Sequence, residues 1–413
     1  MAQKTVHPAP EVAEVLRIHG PEYAARHPIS AEQAAVIRHL TTCRTAALGG
    51  HLDDCPGCGF NRVSYNSCRD RHCPKCQATK QAQWLETRLE RLLPCPHFHV
   101  VFTMPEQLNP LALRNKRLIY DMLFKTAADT LLRIASDPKR LGAQIGFTSV
   151  LHTWGQNLLL HPHLHCVVTA GGLSHHGERW MPTREDYLFP VRVLSRLFRG
   201  KFLSQLQKAY AEGRLEFKGS TAHLARHDVF AALKRELYRQ QWVVYTKPPF
   251  AGADHVYRYL ARYTHRVAIS NSRLLGMRDD RVRFLYKDYS DDCRLKVMEL
   301  DAQEFIRRFL LHVLPKRFVR IRHYGLLASR NVSTKLQSAR RLLSRECTTP
   351  APESHETAGP ADIPADSLEE NFLVCPRCGG KMTRSTLMTH NPYVIVPVAI
   401  YHVAPPVSIL DSS

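Results

Sequence analysis

The fold is decided by residues 151–169, which read LHTWGQNLLLHPHLHCVVT. His163 and His165 flank one apolar residue, and two valines follow. On a β-strand alternate side chains point to the same face, so these two imidazoles share a face. His152 lies eleven residues before His163, which leaves room for an antiparallel neighbouring strand and a loop. The pattern predicts two strands that present three histidines to one metal ion, with coordination positions left open as in catalytic sites.

Histidine is common in this chain, which weakens any argument from one pair. The sequence contains 23 histidines, so an isolated His-x-His is also what scattered structural histidines produce. The metal interpretation therefore depends on a second chemical motif elsewhere. A further pair, His97 and His99, lies in an apolar run bounded by prolines, which predicts a buried strand over 96–105. Nothing downstream pairs with these two, so we assign them to packing on a strand face.

The charge of the chain restricts its partners. The 413 residues suffice for two or three domains, and 57 Lys and Arg against 37 Asp and Glu give a formal charge of +20. This excess favours polyanions such as DNA, because neutralised phosphates release condensed counterions. A merely basic soluble protein and a membrane-surface binder are the alternatives.

The first residues lack the apolar core of a signal peptide, and the apolar tract 393–410 is interrupted by prolines. We therefore expect a cytoplasmic protein that does not bind membranes.

The cysteines indicate zinc. Several of the twelve form Cys-x-x-Cys pairs, which is typical of zinc thiolates in a reducing compartment. Two such knuckles, separated by 14 residues, predict one tetrahedral four-sulfur zinc site, with free buried cysteines as the alternative. Its ligands would be Cys55, Cys58, Cys73 and Cys76. A second, cross-braced zinc ion is a further hypothesis, with the candidate ligands Cys43, His51, Cys68 and His72.

These motifs divide the chain. Helical spacing over 11–18 and 31–40 precedes the knuckles, and we predict a zinc-binding domain that recognises DNA over residues 1–95. Residues 340–371 are rich in Pro, Ser, Thr and Glu, which predicts a disordered linker. Cys375 and Cys378 form one more knuckle, for which only Cys347, His390 and His402 remain as partners, at unpersuasive spacings. We therefore predict that 336–413 is a mostly disordered tail with one knuckle.

Residues 254–267, DHVYRYLARYTHRV, supply the second chemical motif. They predict a helix on which Tyr259 and Tyr263 lie about 40° apart, beside Arg262 and Arg266. Two guanidiniums suit the charge of a phosphate. A phenol with a pKa of about 10 is a weak nucleophile at neutral pH, and a divalent metal on the attacked phosphate remedies this. Packing of both tyrosines on a sheet is the alternative, but the histidines upstream favour catalysis.

Taken in order, these motifs resemble those of the paired-tyrosine HUH transposases of IS91-type insertion sequences. The resemblance runs from about residue 37 to about residue 331. Besides the histidine strand, four segments carry it: SCRDRHCPKC at 67–76, HVVFTMP at 99–105, YLARYTHRVAIS at 259–270 and LPKRFVRIRHYG at 314–325.

The resemblance implies an α+β fold. In this fold, the HUH nuclease fold, an antiparallel sheet with flanking helices follows a small helical, zinc-knuckle domain. The catalytic domain would span 96–335, with the metal-binding strand at its centre and a hairpin over 282–300 extending the sheet.

The resemblance also implies a reaction. Tyr259 or Tyr263 would attack single-stranded DNA at an element end, leaving a 5′-phosphotyrosine and a free 3′-hydroxyl for rolling-circle transposition. The metal would be Mg²⁺ or Mn²⁺ on His163 and His165, with His152 or its rival Gln156 as third ligand. The zinc domain would bind hairpin or subterminal DNA at the element ends. The alternatives are a replication initiator or relaxase of the same chemistry and a zinc-dependent DNA-binding protein without catalysis.

Overall fold

A computed structural model describes residues 10–76, 92–184, 187–247, 268–289, 291–346 and 374–388. In these segments the α-helices are α1 Val12–Arg26, α2 Ala31–Thr42, α3 Asn109–Arg114, α4 Lys116–Ser136, α5 Val191–Ala211, α6 His227–Arg239, α7 Ala302–Leu311 and α8 Lys335–Glu346. The strands are β1 Gly50–Asp54, β2 Asn61–Tyr65, β3 His97–Thr103, β4 Ala143–Trp154, β5 Leu160–Ser174, β6 Trp180–Pro182, β7 Val244–Lys247, β8 Leu274–Arg278, β9 Arg281–Asp288, β10 Arg294–Asp301, β11 Ile321–Gly325 and β12 Thr383–Met388. None of the α-helices in these segments combines the length and the apolar composition that a membrane span needs.

The chain divides into two compact units, each built from separated segments. The first unit contains 1–82, 265–307 and 350–404, and the second contains 83–264, 308–349 and 405–413. These limits differ from the predicted boundaries at 95 and 335, because two later segments return to the first unit.

The first unit begins with two helices, close to where the sequence predicts them. Ser30 caps α2 through a capping box, in which its hydroxyl accepts from the Gln33 N–H and the Gln33 side chain accepts from the Ser30 N–H. The cysteine-bearing segment then forms a three-stranded antiparallel sheet with the order β12-β1-β2. The central strand of this sheet is therefore paired with a strand more than 300 residues away along the chain.

The hairpin over 282–300 corrects one expectation. It was predicted to extend the sheet of the catalytic domain, but β9 pairs with β8 on one side and β10 on the other, in a separate sheet of the first unit. Val282 and Phe284 are buried while Arg281 and Arg283 are exposed, which is the alternation of a sheet with one covered face. The ring of Phe284 packs edge-on against Phe305 of α7, at 6.0 Å between centroids. This packing fixes the hairpin in the first unit.

The second unit is an antiparallel sheet with the order β11-β4-β5-β3-β7, and β6 pairs with β5. The predicted α+β architecture with the histidine strand at the centre of the sheet is confirmed. Alternation along β3 and β5 separates two faces. On one face Phe98, Phe102 and Leu164 enter a large core beneath α4 and α5. The other face carries the histidines.

Two segments of the tail that was predicted to be mostly disordered have defined structure. Residues 335–346 form α8, whose Leu336 and Leu343 are buried with Leu326 and Leu327. Residues 374–388 contain a turn and β12, which pairs with β1. The rest of 336–413 lies outside the described residues.

Candidate metal centres

The register of the central sheet brings three predicted ligands together. In the antiparallel pairing of β4 with β5, His152 stands directly opposite His163, and Val150 stands opposite His165. Directly opposed residues share a face, so the three imidazoles point to the same side. Their ligand nitrogens lie within 4.8 Å of one another. His152 is buried, and the other two rings are half-buried.

Hydrogen bonds fix the orientation of two of these rings. His163 Nδ1 lies 2.6 Å from the carbonyl oxygen of His161, which can only accept, so Nδ1 carries the proton and Nε2 is bare. His163 Nε2 and His165 Nε2 are 3.0 Å apart. Two nitrogens this close require a proton or a cation between them. Two ligands at about 2.1 Å from one ion, at a right angle, are about 3.0 Å apart, so the spacing fits chelation.

Desolvation keeps the imidazoles of His163 and His165 neutral. Burial lowers the pKa of His163 to about 4 and lowers that of His165 well below its ordinary value, with neighbouring histidines adding to the effect. Neutral imidazole is the form that binds a metal. His163 and His165 are therefore in the metal-binding form at physiological pH.

His99 is part of this centre, although the sequence assigned it to packing. His99 Nε2 lies 2.8 Å from His165 Nδ1, and the two rings are stacked at 5.0 Å. Burial lowers the pKa of His99 to about 4, with the charge of Lys247 contributing. The sequence did contain one signal for this role, the His97-x-His99 spacing. It did not indicate that β3 is the antiparallel neighbour of the histidine strand. His97 on the same strand is fully buried, and its Nδ1 donates to the Cys95 carbonyl.

Trp154 contacts the third histidine, His152, and His312 contacts the chain that follows it. The ring of His152 stacks on Trp154 at 4.8 Å between centroids. His312 lies 3.2 Å from Thr153 Oγ1 through Nδ1, and its Nε2 donates to the Leu158 carbonyl, which holds the connection between β4 and β5. Gln156, the rival third ligand, lies in that connection. The spacing of the histidines along the sequence did not indicate the contact made by Trp154 or those made by His312.

The tyrosine motif lies outside the described residues. Tyr259, Tyr263, Arg262 and Arg266 all fall in 248–267, and their predicted roles stay predictions.

The cysteines of the first unit form two clusters, but not the predicted ones. One cluster contains Cys43, Cys68, Cys73 and Cys76, with sulfurs within 4.8 Å of one another. The other contains Cys55, Cys58, Cys375 and Cys378. The two N-terminal knuckles, which the sequence placed in one site, therefore belong to different clusters. Pairing of β1 with β12 brings the first knuckle, Cys55 and Cys58, to a partner near the C-terminal end.

The two histidines of the predicted second site are engaged elsewhere. His72 Nδ1 lies 2.9 Å from Asp70, which also contacts His39 of α2 at 2.8 Å. His51 Nε2 lies 2.9 Å from the guanidinium of Arg384. The expected set of Cys43, His51, Cys68 and His72 is thus replaced by four thiols, a donor set that zinc favours.

Comparison with known proteins agrees with both regions. Residues 15–104 match the family described as "Transposase zinc-binding domain", and residues 146–335 match the family described as "Putative transposase". The chain is 50% identical over 374 residues to "Putative transposase y4qJ" of Sinorhizobium fredii, covering 89% of this chain and 93% of the relative. It is 29% identical over 366 residues to the transposase for insertion sequence element IS801 of Pseudomonas savastanoi pv. phaseolicola, covering 85% and 82%. No solved structure matches the chain. The chain belongs to the IS91-type transposases and carries their zinc-binding domain in its N-terminal region.

Proposed function

We propose that this transposase cuts and rejoins single-stranded DNA at the ends of an insertion sequence through a 5′-phosphotyrosine intermediate. The observation that supports the proposal best is the cluster of His152, His163 and His165 on one face of the central sheet. Structural zinc sites have four protein ligands, whereas three ligands leave positions for substrate oxygens. The cluster therefore suits a catalytic ion.

The donor set fits a divalent cation. The bare Nε2 of His163 and the adjacent Nε2 of His165 face each other at 3.0 Å, and each ring is held from behind by a hydrogen bond. When bound, Mg²⁺ or Mn²⁺ would polarise the scissile phosphate and offset its charge. Imidazoles also suit zinc, so the choice of Mg²⁺ or Mn²⁺ rests on the family.

The covalent step belongs to the tyrosines of 254–267. The phenolic oxygen of Tyr259 or Tyr263 forms a bond to phosphorus as it loses its proton, and the bond from phosphorus to the 3′-oxygen breaks. That oxygen takes up a proton and leaves as a free 3′-hydroxyl, while the 5′-phosphate stays on the tyrosine. The second tyrosine repeats the exchange on another strand without hydrolysis, as rolling-circle transposition requires. Arg262 and Arg266 would contact the phosphate oxygens.

The charge of the chain supports the substrate class. A formal net charge of +20 favours a polyanion, and DNA bound mainly through phosphates dissociates steeply as salt rises. The zinc-binding domain would then recognise hairpin or subterminal DNA at the element ends. This assignment separates recognition, in the first unit, from chemistry, in the second.

The test is formation of a covalent adduct. Full-length protein is incubated with Mn²⁺ and single-stranded oligonucleotides from the flanks of its gene, and the products are separated on a denaturing gel. We expect an adduct that is absent with EDTA and absent in the double variant Tyr259→Phe, Tyr263→Phe. Tyr238→Phe is the matched control, because Tyr238 is an exposed tyrosine of α6 and its replacement should leave the adduct.

The histidines are tested in the same assay. His163→Ala should abolish the adduct without lowering the melting temperature, whereas His175→Ala, at an exposed position, should retain both. DNA binding without any adduct, across oligonucleotides and metals, would contradict the proposal and favour a binding protein without catalysis. So would an adduct that survives loss of both tyrosines.

A further inference from the structure

Two distant Cys-x-x-Cys turns in the first unit have the same local structure. The sequences Cys55-Pro-Gly-Cys58-Gly and Cys375-Pro-Arg-Cys378-Gly place their glycines at the same step. The N–H of Gly59 donates to the Cys55 carbonyl at 2.9 Å, and the N–H of Gly379 donates to the Cys375 carbonyl at 2.9 Å. Both glycines have left-handed backbones, with φ of +67° and +73°. Each turn thus aims two sulfurs inward, as zinc knuckles do.

The backbone of the C-terminal turn also supports a thiolate. The N–H of Arg377 lies 3.4 Å from Cys375 Sγ, and the N–H of Cys375 donates to the Gly380 carbonyl at 2.7 Å. The corresponding N–H of Cys55 donates to the Phe60 carbonyl at 2.9 Å. The two turns are therefore near-equivalent halves of one arrangement.

The distances between sulfurs distinguish a metal site from a disulfide. Cys55 Sγ and Cys378 Sγ are 3.5 Å apart, and Cys58 Sγ and Cys375 Sγ are 3.6 Å apart. A disulfide bond is about 2.05 Å long. Two thiolates at about 2.3 Å from one tetrahedral zinc ion are about 3.8 Å apart. The observed separations lie close to the second value, and each sulfur approaches a sulfur of the other turn.

The surrounding sheet holds these turns in place. β12 pairs with β1, so the strand after the second turn lies beside the strand before the first. Asp53, which is 6% exposed, contacts Arg62 of β2 at 3.4 Å and Arg384 of β12 at 3.5 Å. Met382 and Phe60 pack beside the buried sulfurs. Backbone pairing, ion pairs and apolar packing therefore all hold the C-terminal turn beside the N-terminal one.

We propose that a second structural Zn²⁺ is bound by Cys55, Cys58, Cys375 and Cys378, and that this ion makes the C-terminal segment part of the zinc-binding domain. The match to the zinc-binding family ends at residue 104 and does not include this segment. The domain would be discontinuous and would contain two zinc ions, the first bound by Cys43, Cys68, Cys73 and Cys76. The inference does not depend on the proposed DNA chemistry.

Zinc stoichiometry is the first test. Full-length protein purified with a phosphine reductant is weighed by native mass spectrometry, and two zinc ions per chain are expected. The variant Cys375→Ser, Cys378→Ser should contain one, and Cys293→Ser should keep two, because Cys293 is an exposed cysteine outside both clusters. A single zinc ion in the wild-type chain overturns the proposal, whatever the variants do.

Thiol labelling tests the pairing itself. In the native, zinc-loaded chain, N-ethylmaleimide should modify Cys293 while the eight clustered cysteines are protected. In the variant Cys55→Ser, Cys58→Ser, peptide mass spectrometry should show that Cys375 and Cys378 are labelled. Cys378 is exposed to solvent, so in the wild-type chain only bound metal would protect it. The other cluster should remain protected, which shows that the domain is folded. Continued protection of Cys375 in that variant would refute the pairing.

Discussion

Replacing His99 with phenylalanine isolates the contribution of one hydrogen bond to the proposed catalytic metal centre. If His165 held the ion through Nε2, its Nδ1–H would donate to His99 Nε2, which lies 2.8 Å away. The two rings are stacked at 5.0 Å with an interplanar angle of 13°, and a phenyl ring preserves this packing. The variant therefore removes the acceptor and little else.

The expected effect on metal affinity follows from the geometry. His163 keeps its own anchor at the His161 carbonyl, so only one ring loses its orientation. Outer-shell partners of this kind typically contribute about 10- to 100-fold to metal affinity, which corresponds to about 1.4 to 2.8 kcal/mol. The free energy of unfolding should fall by no more than about 1 to 3 kcal/mol, because Nδ1 of His165 loses its partner while the ring packing is kept.

The assay is Mn²⁺ binding to the full-length chain, followed by calorimetry or by the spin-resonance signal of free Mn²⁺. His175→Phe serves as the control. His175 is exposed to solvent, and among the described residues none of the predicted metal ligands contacts it. An unchanged dissociation constant in His99→Phe, with an unchanged melting temperature, would refute the reasoning. An equal loss in the control variant would do the same.

Three further predictions concern stability. Burial lowers the pKa of His97 to about 4. Between pH 6.5 and pH 4 the unfolded chain therefore binds a proton at His97 and the folded chain does not, so stability is lost as the pH falls through this range. This contribution amounts to about 3 kcal/mol, and thermal unfolding of His97→Phe at pH 7 and pH 5 should show a smaller pH difference than the wild type; an equal difference would contradict it. Gly325→Ala should lower the melting temperature sharply, because φ is +59° and a Cβ would lie 1.9 Å from the Ile145 carbonyl oxygen. Gly200→Ala, in α5, is the control: a Cβ there meets no atom within 4 Å, and the melting temperature should rise. Phe102→Ala, at a fully buried position, should cost about 3 to 5 kcal/mol in the free energy of unfolding, measured with denaturant, and a cost below 1 kcal/mol would show that the core is not packed as described.

Local periodicity was sufficient to predict the parts of the fold whose partners are near in sequence. The pairing of β4 with β5 follows from two apolar segments joined by a short connection, and the register opposes His152 to His163. The spacing of apolar residues over 189–210 likewise predicts a helix, and α5 begins and ends within two residues of these limits. Apolar spacing over 110–135 predicts one long helix, but the structure divides it at Asn115. The side chain of Asn115 accepts from the N–H of Glu216 and donates to its carbonyl. A contact 101 residues away therefore overrides local propensity.

The zinc ligands show the limit of spacing arguments. Cys-x-x-Cys turns have the same local structure wherever they occur, so spacing identifies a half-site but not its partner. The partner of Cys55 and Cys58 is chosen by the pairing of β1 with β12, across more than 300 residues. The same limit applies to His99, which reaches His165 through strand pairing across 66 residues. In each case the chemistry was recognisable and its long-range partner was not.

The central sheet separates stability from chemistry by its two faces. Along β3, Phe98, Val100 and Phe102 enter the core, while His97 and His99 alternate with them on the histidine face. The period of two that puts every second side chain into the core also aligns the histidines of neighbouring strands. A shift of one residue in register would bury the imidazoles in the apolar core and expose the phenylalanines. Core packing therefore specifies the geometry of the proposed metal centre, and we expect that a change on the histidine face can remove metal binding while the fold persists.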